Sequence, residues 1–304
     1  DITDGQGTHR YTYHHNGTLK SYDSPLSNDV LKFTYDRQGK TREITLNGKR
    51  YSAFTYDALD RIRSIDAQGQ VFHWRYQDKN TASVNPSAIA IAPNGIRLES
   101  TLNNIGELAS REYQHRSQSQ VSYRYSYNQV GLVSAVNSSR KERVDPQGMG
   151  FNEYNRLNQL VKSSLYPRQF SYDADGNMTA GYLSGGERFT AHYDIQDRLK
   201  SIGFTKKNVD IVENFEYYFN GMLAKNTVSK NGHIVKTTRY LRLGSLALQE
   251  RDADDAVIAT NWWQPSAPGG VGGLLRRHEK SQDYYFNYDH NGNIVQVTDA
   301  AGAV

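Results

Sequence analysis

The stretch "FSYDADGNMTAGYL", Phe170 to Leu183, decides how the chain is read, because its centre recurs from one end to the other. Looser copies are "FTYDRQGKTREI" (Phe33–Ile44), "FTYDALDRIRSI" (Phe54–Ile65), "AHYDIQDRLKSI" (Ala191–Ile202) and "FNYDHNGNIVQV" (Phe286–Val297). A motif this frequent belongs to an architecture rather than to one active site. Phe54 and Tyr56, or Phe170 and Tyr172, alternate so that both rings lie on one face of a strand. The Asp that follows can accept hydrogen bonds from the free N–H groups of a turn. Three residues on comes Gly39, Gly176 or Gly292, able to take the positive φ that closes a hairpin through a type I turn and a bulge. Where glycine is missing, Asp60, Asp197 or Asn158 stands there, and these are the side chains that best tolerate that conformation. The predicted turn set is therefore Tyr35, Asp36 and Gly39; Tyr56, Asp57 and Asp60; Tyr172, Asp173 and Gly176; Tyr193, Asp194 and Asp197; and Tyr288, Asp289 and Gly292.

Aligned on the aromatic, the copies fall at Tyr13, Tyr35, Tyr56, Tyr127, Tyr154, Tyr172, Tyr193, Tyr218 and Tyr288. Spacings of 22, 21 and 21 residues separate Tyr13 from Tyr35, Tyr35 from Tyr56 and Tyr172 from Tyr193. A period near 20 residues marks a repeat array and holds two short strands with two turns. A second kind of turn falls between the motifs, at "LNGK" (Leu46–Lys49), "AQGQ" (Ala67–Gln70), "KNGH" (Lys230–His233) and "AAGA" (Ala300–Ala303). Turns about every ten residues predict an all-β fold of tandem hairpins. "SAIAIAPNGI", Ser87 to Ile96, reads as strand or loop, and no long 3.6-residue stripe appears. After the turns, Ile62 and Ile65, and Leu199 and Ile202, stand three apart. Either both faces of the sheet bury something or these strands are bulged.

Composition agrees. Among 304 residues there are 22 tyrosines, against three tryptophans and ten phenylalanines, which suits a modest, amphipathic, sheet-rich interior. The net charge of +4 is spread thinly. The one dense basic spot, "RRHEK" (Arg276–Lys280), reads as a solvated loop, so no nucleic-acid partner is expected. Without cysteine there are no disulfides and no cysteine-ligated zinc. No apolar run approaches a membrane span, and "DITDGQG" is not a signal peptide, so Asp1 reads as the end of a processed piece.

The pattern Tyr-Asp-x-x-Gly-Arg/Asn-Leu/Ile at this period resembles the YD-repeat or RHS-repeat proteins over nearly the whole chain, weakest at 76–112. The resemblance implies a β-ribbon spiralling into a hollow shell or barrel, often around a toxic C-terminal domain, as in RHS polymorphic toxins, Tc toxin cocoons and teneurins. Residues 1–260 would then be the repeat array, drifted or looped at 76–112, and 261–304 a Trp/Pro/Gly-rich connector running into a segment similar to the start of the RHS-associated core. The family's self-cleaving aspartyl protease is not expected here. "DPQGMGFNEYN" (Asp145–Asn155) matches Asp-Pro-x-Gly, but Phe151 and Asn152 replace the required Asp-Gly, so Asp145 reads as a turn residue.

Other chemistry is sparse. Asp173 and Asp175 resemble part of a calcium loop but lack its remaining ligands, and "RDADDAV" (Arg251–Val257) lacks its glycine turn. His14 and His15 are adjacent and cannot readily chelate one ion from a strand. No metal and no cofactor is expected, and no catalytic residue is assigned. "NWWQPSAPGGVGG", Asn261 to Gly273, is the compositional outlier. Trp262 and Trp263 could form an exposed platform for a glycan or protein receptor, or one could pack inward beneath a crossover loop. Three functions follow: a non-catalytic shell segment whose partners are the rest of its parent shell and its cargo; a surface glycan- or receptor-binding module; or a polysaccharide-acting enzyme using a Tyr/His pair. The resemblance implies a secreted or cell-surface protein.

Overall fold

The computed structural model describes residues 1–77, 88–140, 151–265 and 273–304. Asp145 and the stretch Ser266–Gly272 lie outside them. The described residues are all-β. Thirteen strands, from Ile2–Asp4 to Val133–Ser138, form one antiparallel meander in which each strand pairs with the next in sequence. Twelve more, from Ser171–Tyr172 to Ile294–Thr298, form a second. Between them Asn152–Tyr154 and Leu160–Ser163 pair only with each other. The 260/261 division expected from the sequence falls inside the strand Val257–Gln264, so the second sheet runs unbroken across it. The region 76–112 is mostly strand in its described part, with Ala88–Ile91, Ile96–Leu102 and Leu108–His115 in register. No helix among the described residues is long and apolar enough to cross a membrane.

Bulges explain the three-residue spacing. Thr55 pairs with Ser64 and Tyr56 with Ile62, leaving Arg63 as an extra residue without a partner. That extra residue returns Ile62 and Ile65 to one face, and both are buried. Lys200 plays the same part between Ser201, which pairs with His192, and Leu199, which pairs with Tyr193.

The two sheets pack against each other. Leu31, Phe33, Phe54 and Ile65 of the first share a core with Leu241, Leu248, Trp262 and Leu275 of the second. The hairpins that supply these residues thus bury one face, which an isolated hairpin could not do.

Candidate functional site

The turns led by the motif aspartate are built the same way. At Asp57 the N–H donates to the Arg61 carbonyl at 2.9 Å, and the Asp60 N–H returns to the Asp57 carbonyl at 3.0 Å. Asp57 Oδ1 accepts the N–H groups of Leu59 and Arg61 at 3.0 and 2.9 Å. Asp36, Asp173, Asp194 and Asp289 repeat this pattern. Gly39, Gly176 and Gly292 have positive φ, and so do Asp60, Asp197 and Asn158, at 66°, 57° and 61°. The donors shift the carboxylates. Around Asp194 the Arg198 side chain leads in holding the pKa below the usual range. At Asp57, Asp173 and Asp289 some burial pushes the other way, but the turn N–H groups and the fifth residue of the turn outweigh it.

The tyrosines have an equally regular role. Tyr56 Oη donates to the Thr41 carbonyl at 2.9 Å, and Tyr35 Oη to the Leu19 carbonyl at 2.6 Å. Tyr127, Tyr172, Tyr193, Tyr217 and Tyr288 reach Leu108, Leu160, Met178, Leu199 and Leu274 in the same way. Where neighbouring hairpins share a sheet, the ladder between them stops short of this carbonyl. Glu43 is the last residue paired with the next hairpin, and Thr41 is left for the hydroxyl. Burial raises the phenol pKa of Tyr35, Tyr56 and Tyr193, and takes Tyr288 to about 12. The fifth turn residue completes the link. Lys40, Arg61 and Arg198 sit over the rings of Tyr56, Tyr76 and Tyr217 at 5.0, 4.3 and 4.6 Å.

Apart from the turn at Leu183, which has Gly185 two residues on, three described turns begin without Asp or Asn, at His14, Ala92 and Tyr218. In each, the residue two on is an asparagine, Asn16, Asn94 or Asn220, whose Oδ1 accepts the N–H of the fifth position instead. The repeat aromatic near 218 is therefore Tyr217, one residue earlier than the alignment placed it. Tyr218 takes the Asp position and turns its ring edge-on to His9 of the other sheet at 4.9 Å. The "AAGA" turn is also of the motif kind, led by Asp299.

The seam between the sheets corrects two expectations. Trp262 is 1% exposed, stacked on Tyr51 at 5.8 Å, with its Nε1–H donating to the Tyr51 carbonyl at 2.8 Å. It offers no exposed platform, because its ring is packed into the contact between the sheets. "RRHEK" is not a solvated loop but lies largely in the strand Gly273–Glu279. Arg276 lies 4.3 Å over the Trp262 ring, pairs with Asp283 at 2.8 Å and donates to the Ala67 carbonyl of the first sheet at 2.7 Å. Arg277 is held by Glu250 and Glu279, and the hydrogen bonds it donates to the Glu250 carboxylate raise its pKa. Both arginines are used inside the fold, which hydropathy could not reveal. Farther along the seam, the buried Arg251 donates to the carbonyls of Ser27 and Asn28. Asp29 beside it is 1% exposed, and burial pushes its pKa up to about 7.

Trp263 lines a cleft of about 580 Å³ between the sheets, with Trp74, Ile91, Leu98, Phe286 and Ile294 among its walls. Its Nε1–H is held by the Ala247 carbonyl at 2.9 Å. His14 and His15 are exposed. One Tyr/His pair is joined by a side-chain hydrogen bond, His9 with Tyr22, Nδ1 to Oη 2.9 Å, with Asp4 on Nε2 at 3.1 Å. His9 is buried and both ring nitrogens are occupied, so the trio ties the turn at Asp4 to the strand Leu19–Asp23 rather than facing a groove. Burial works against the Asp4 carboxylate, but the N–H groups of Gln6 and Phe219, with His9, leave its pKa low. No cluster of three or more His, Cys, Asp or Glu able to hold a metal occurs among the described residues.

The chain is similar to two curated bacterial proteins. One is the tRNA3(Ser)-specific nuclease WapA of Bacillus spizizenii, 25% identical over 313 residues; the other is the tRNA nuclease WapA of Bacillus subtilis, 25% identical over 312. Each alignment covers 98% of this chain, and the chain spans 12% of the length of these curated relatives. No family model matches. Among solved structures, the Tc holotoxin pore of Photorhabdus luminescens with a substituted TccC3 aligns at TM-score 0.48 and 14% identity, over 97% of this chain and 17% of that one. A TcdB2–TccC3 structure aligns at 0.47 and 13%, over 98% of this chain and 21% of that one.

Proposed function

We propose that this chain is a stretch of wall in a larger YD-repeat shell, which encloses or presents a toxic domain of its own parent, and that it is not itself catalytic. The observation that carries this reading is where the repeat's reactive groups are engaged. Motif aspartates accept the N–H groups of their own turns, and motif tyrosines donate to the preceding hairpin. Groups committed to the backbone in this way are not available to a substrate. Any catalytic work of the parent is assigned to another part of it. The partners are then the remaining shell and the cargo, and the parent acts outside the cell that makes it, secreted or at the surface.

The sheet edge supports the same reading. Among the described residues Val133–Ser138 pairs on one side only, with Gln118–Tyr127, and is exposed along most of its length, including Val133 and Val136. An open edge of this kind is a template for another strand. Light scattering on the isolated 304-residue chain should show self-association that Val136→Lys reduces. A monomer that stays soluble at high concentration would count against a wall segment. In the parent, limited proteolysis should leave the cargo protected until the shell is cut; cargo digested at once would remove the enclosure.

A further inference from the structure

The cleft beside Trp263 has a feature the repeat does not require. Its walls come from both sheets and are mostly apolar, with Trp74, Ile91, Trp263, Phe286 and Ile294 among them. Arg111 is the one charged residue in that lining. It is 8% exposed, and its Nη1 donates to the Asp289 carbonyl at 2.6 Å. Its Nε is buried without a hydrogen-bond partner. The Asp289 carboxylate is turned away to its own turn, on the N–H groups of Asn291 and Asn293 and the Asn293 side chain. No ion pair to Arg111 is present among the described residues. A guanidinium buried without an anion is costly, and an unpaired buried donor adds to that cost. The volume of about 580 Å³ falls within the usual range for a small-molecule site.

We propose that this cleft binds a medium-chain carboxylate, its tail between the tryptophans and Phe286 and its carboxylate on Arg111. The apolar walls supply most of the transfer free energy, and the guanidinium selects an anionic head over a neutral one. Trp74 and Trp263 both line the cleft, whereas Trp262 lies in the core, so emission reports on occupancy.

The test titrates dodecanoate and, separately, dodecanol into the full chain, below the concentration at which either aggregates. Tryptophan emission and calorimetry are read together. Dodecanoate should saturate one site and bind about tenfold or more tightly than dodecanol, as a charge-assisted hydrogen bond requires. Arg111→Met should abolish that preference while dodecanol binds as before. Equal affinity for the two ligands, or no saturable binding of dodecanoate, overturns the proposal in the unaltered protein, without relying on the variant to fold. Ala90→Trp, which fills the same cleft, should weaken both ligands; binding unchanged in it would place them elsewhere.

Discussion

The Tyr56 hydroxyl donates to the Thr41 carbonyl, 2.9 Å away and one hairpin earlier. The bond closes a gap that the sheet leaves open, since the bulge after each turn ends the ladder before the last carbonyl is paired. A tyrosine is long enough to reach that carbonyl from the next hairpin, and phenylalanine could fill the space but not the bond.

Tyr56→Phe and Tyr193→Phe should therefore each lower the unfolding free energy by about 1 kcal/mol, the usual net value of one such bond. Urea denaturation at neutral pH is the measurement. Unchanged midpoints would mean that these tyrosines act through ring packing alone.

Left-handed turn positions should respond with opposite signs. Gly39 has φ of 84° and open space where a Cβ would sit, so Gly39→Ala isolates backbone strain and should cost about 1–2 kcal/mol. Asn158 has φ of 61°, and Asn158→Gly should be neutral or stabilising by a few tenths of a kcal/mol. Thermal melts of the two variants decide it, and two shifts in the same direction would contradict the turn geometry.

Trp262→Ala should cost about 3–5 kcal/mol, as for other large aromatics removed from a core. It removes the stack on Tyr51, the bond to the Tyr51 carbonyl and the cover over Arg276. Loss of under 1 kcal/mol in denaturant would show that the sheets hold together without this contact.

Acid and neutral pH should act on different groups. Asp57, Asp173, Asp194 and Asp289 have depressed pKa values in the fold, so their contribution is complete above the unfolded value of about 3.9 and is lost as pH falls through the folded values. Asp29 runs the other way. Its raised pKa favours folding fully below about 3.9, and that contribution is lost as pH rises toward about 7. Asp29→Asn should flatten the stability profile between those limits while leaving the acid limb in place. A profile identical to that of the parent chain would show that Asp29 does not carry it.

Local chemistry was legible where local geometry decides it. Tyr-Asp-x-x-Gly announces a turn because the Asp oxygen and the left-handed fourth residue act within five residues of chain, and Asp60, Asp197 and Asn158 stand where that conformation is needed. The spacing of Ile62 and Ile65 left two alternatives, and only strand pairing reveals that Arg63 is the extra residue. Tyr217 and Tyr218 are adjacent and alike in sequence, so their roles separate only when one ring meets His9 across the seam.

By itself, then, the sequence determined an all-β chain of hairpins, its turn positions and its period, since each depends on interactions between residues close in the chain. The tertiary structure alone decided which polar and aromatic groups go inside. Trp262, Arg276 and Arg251 are buried by partners 209 to 224 residues away, at Tyr51, Ala67 and Ser27. The apolar cleft with Arg111 in its wall exists only where the two sheets face each other. No pattern within one repeat encodes such contacts, because they arise from how two sheets stack rather than from how either one forms.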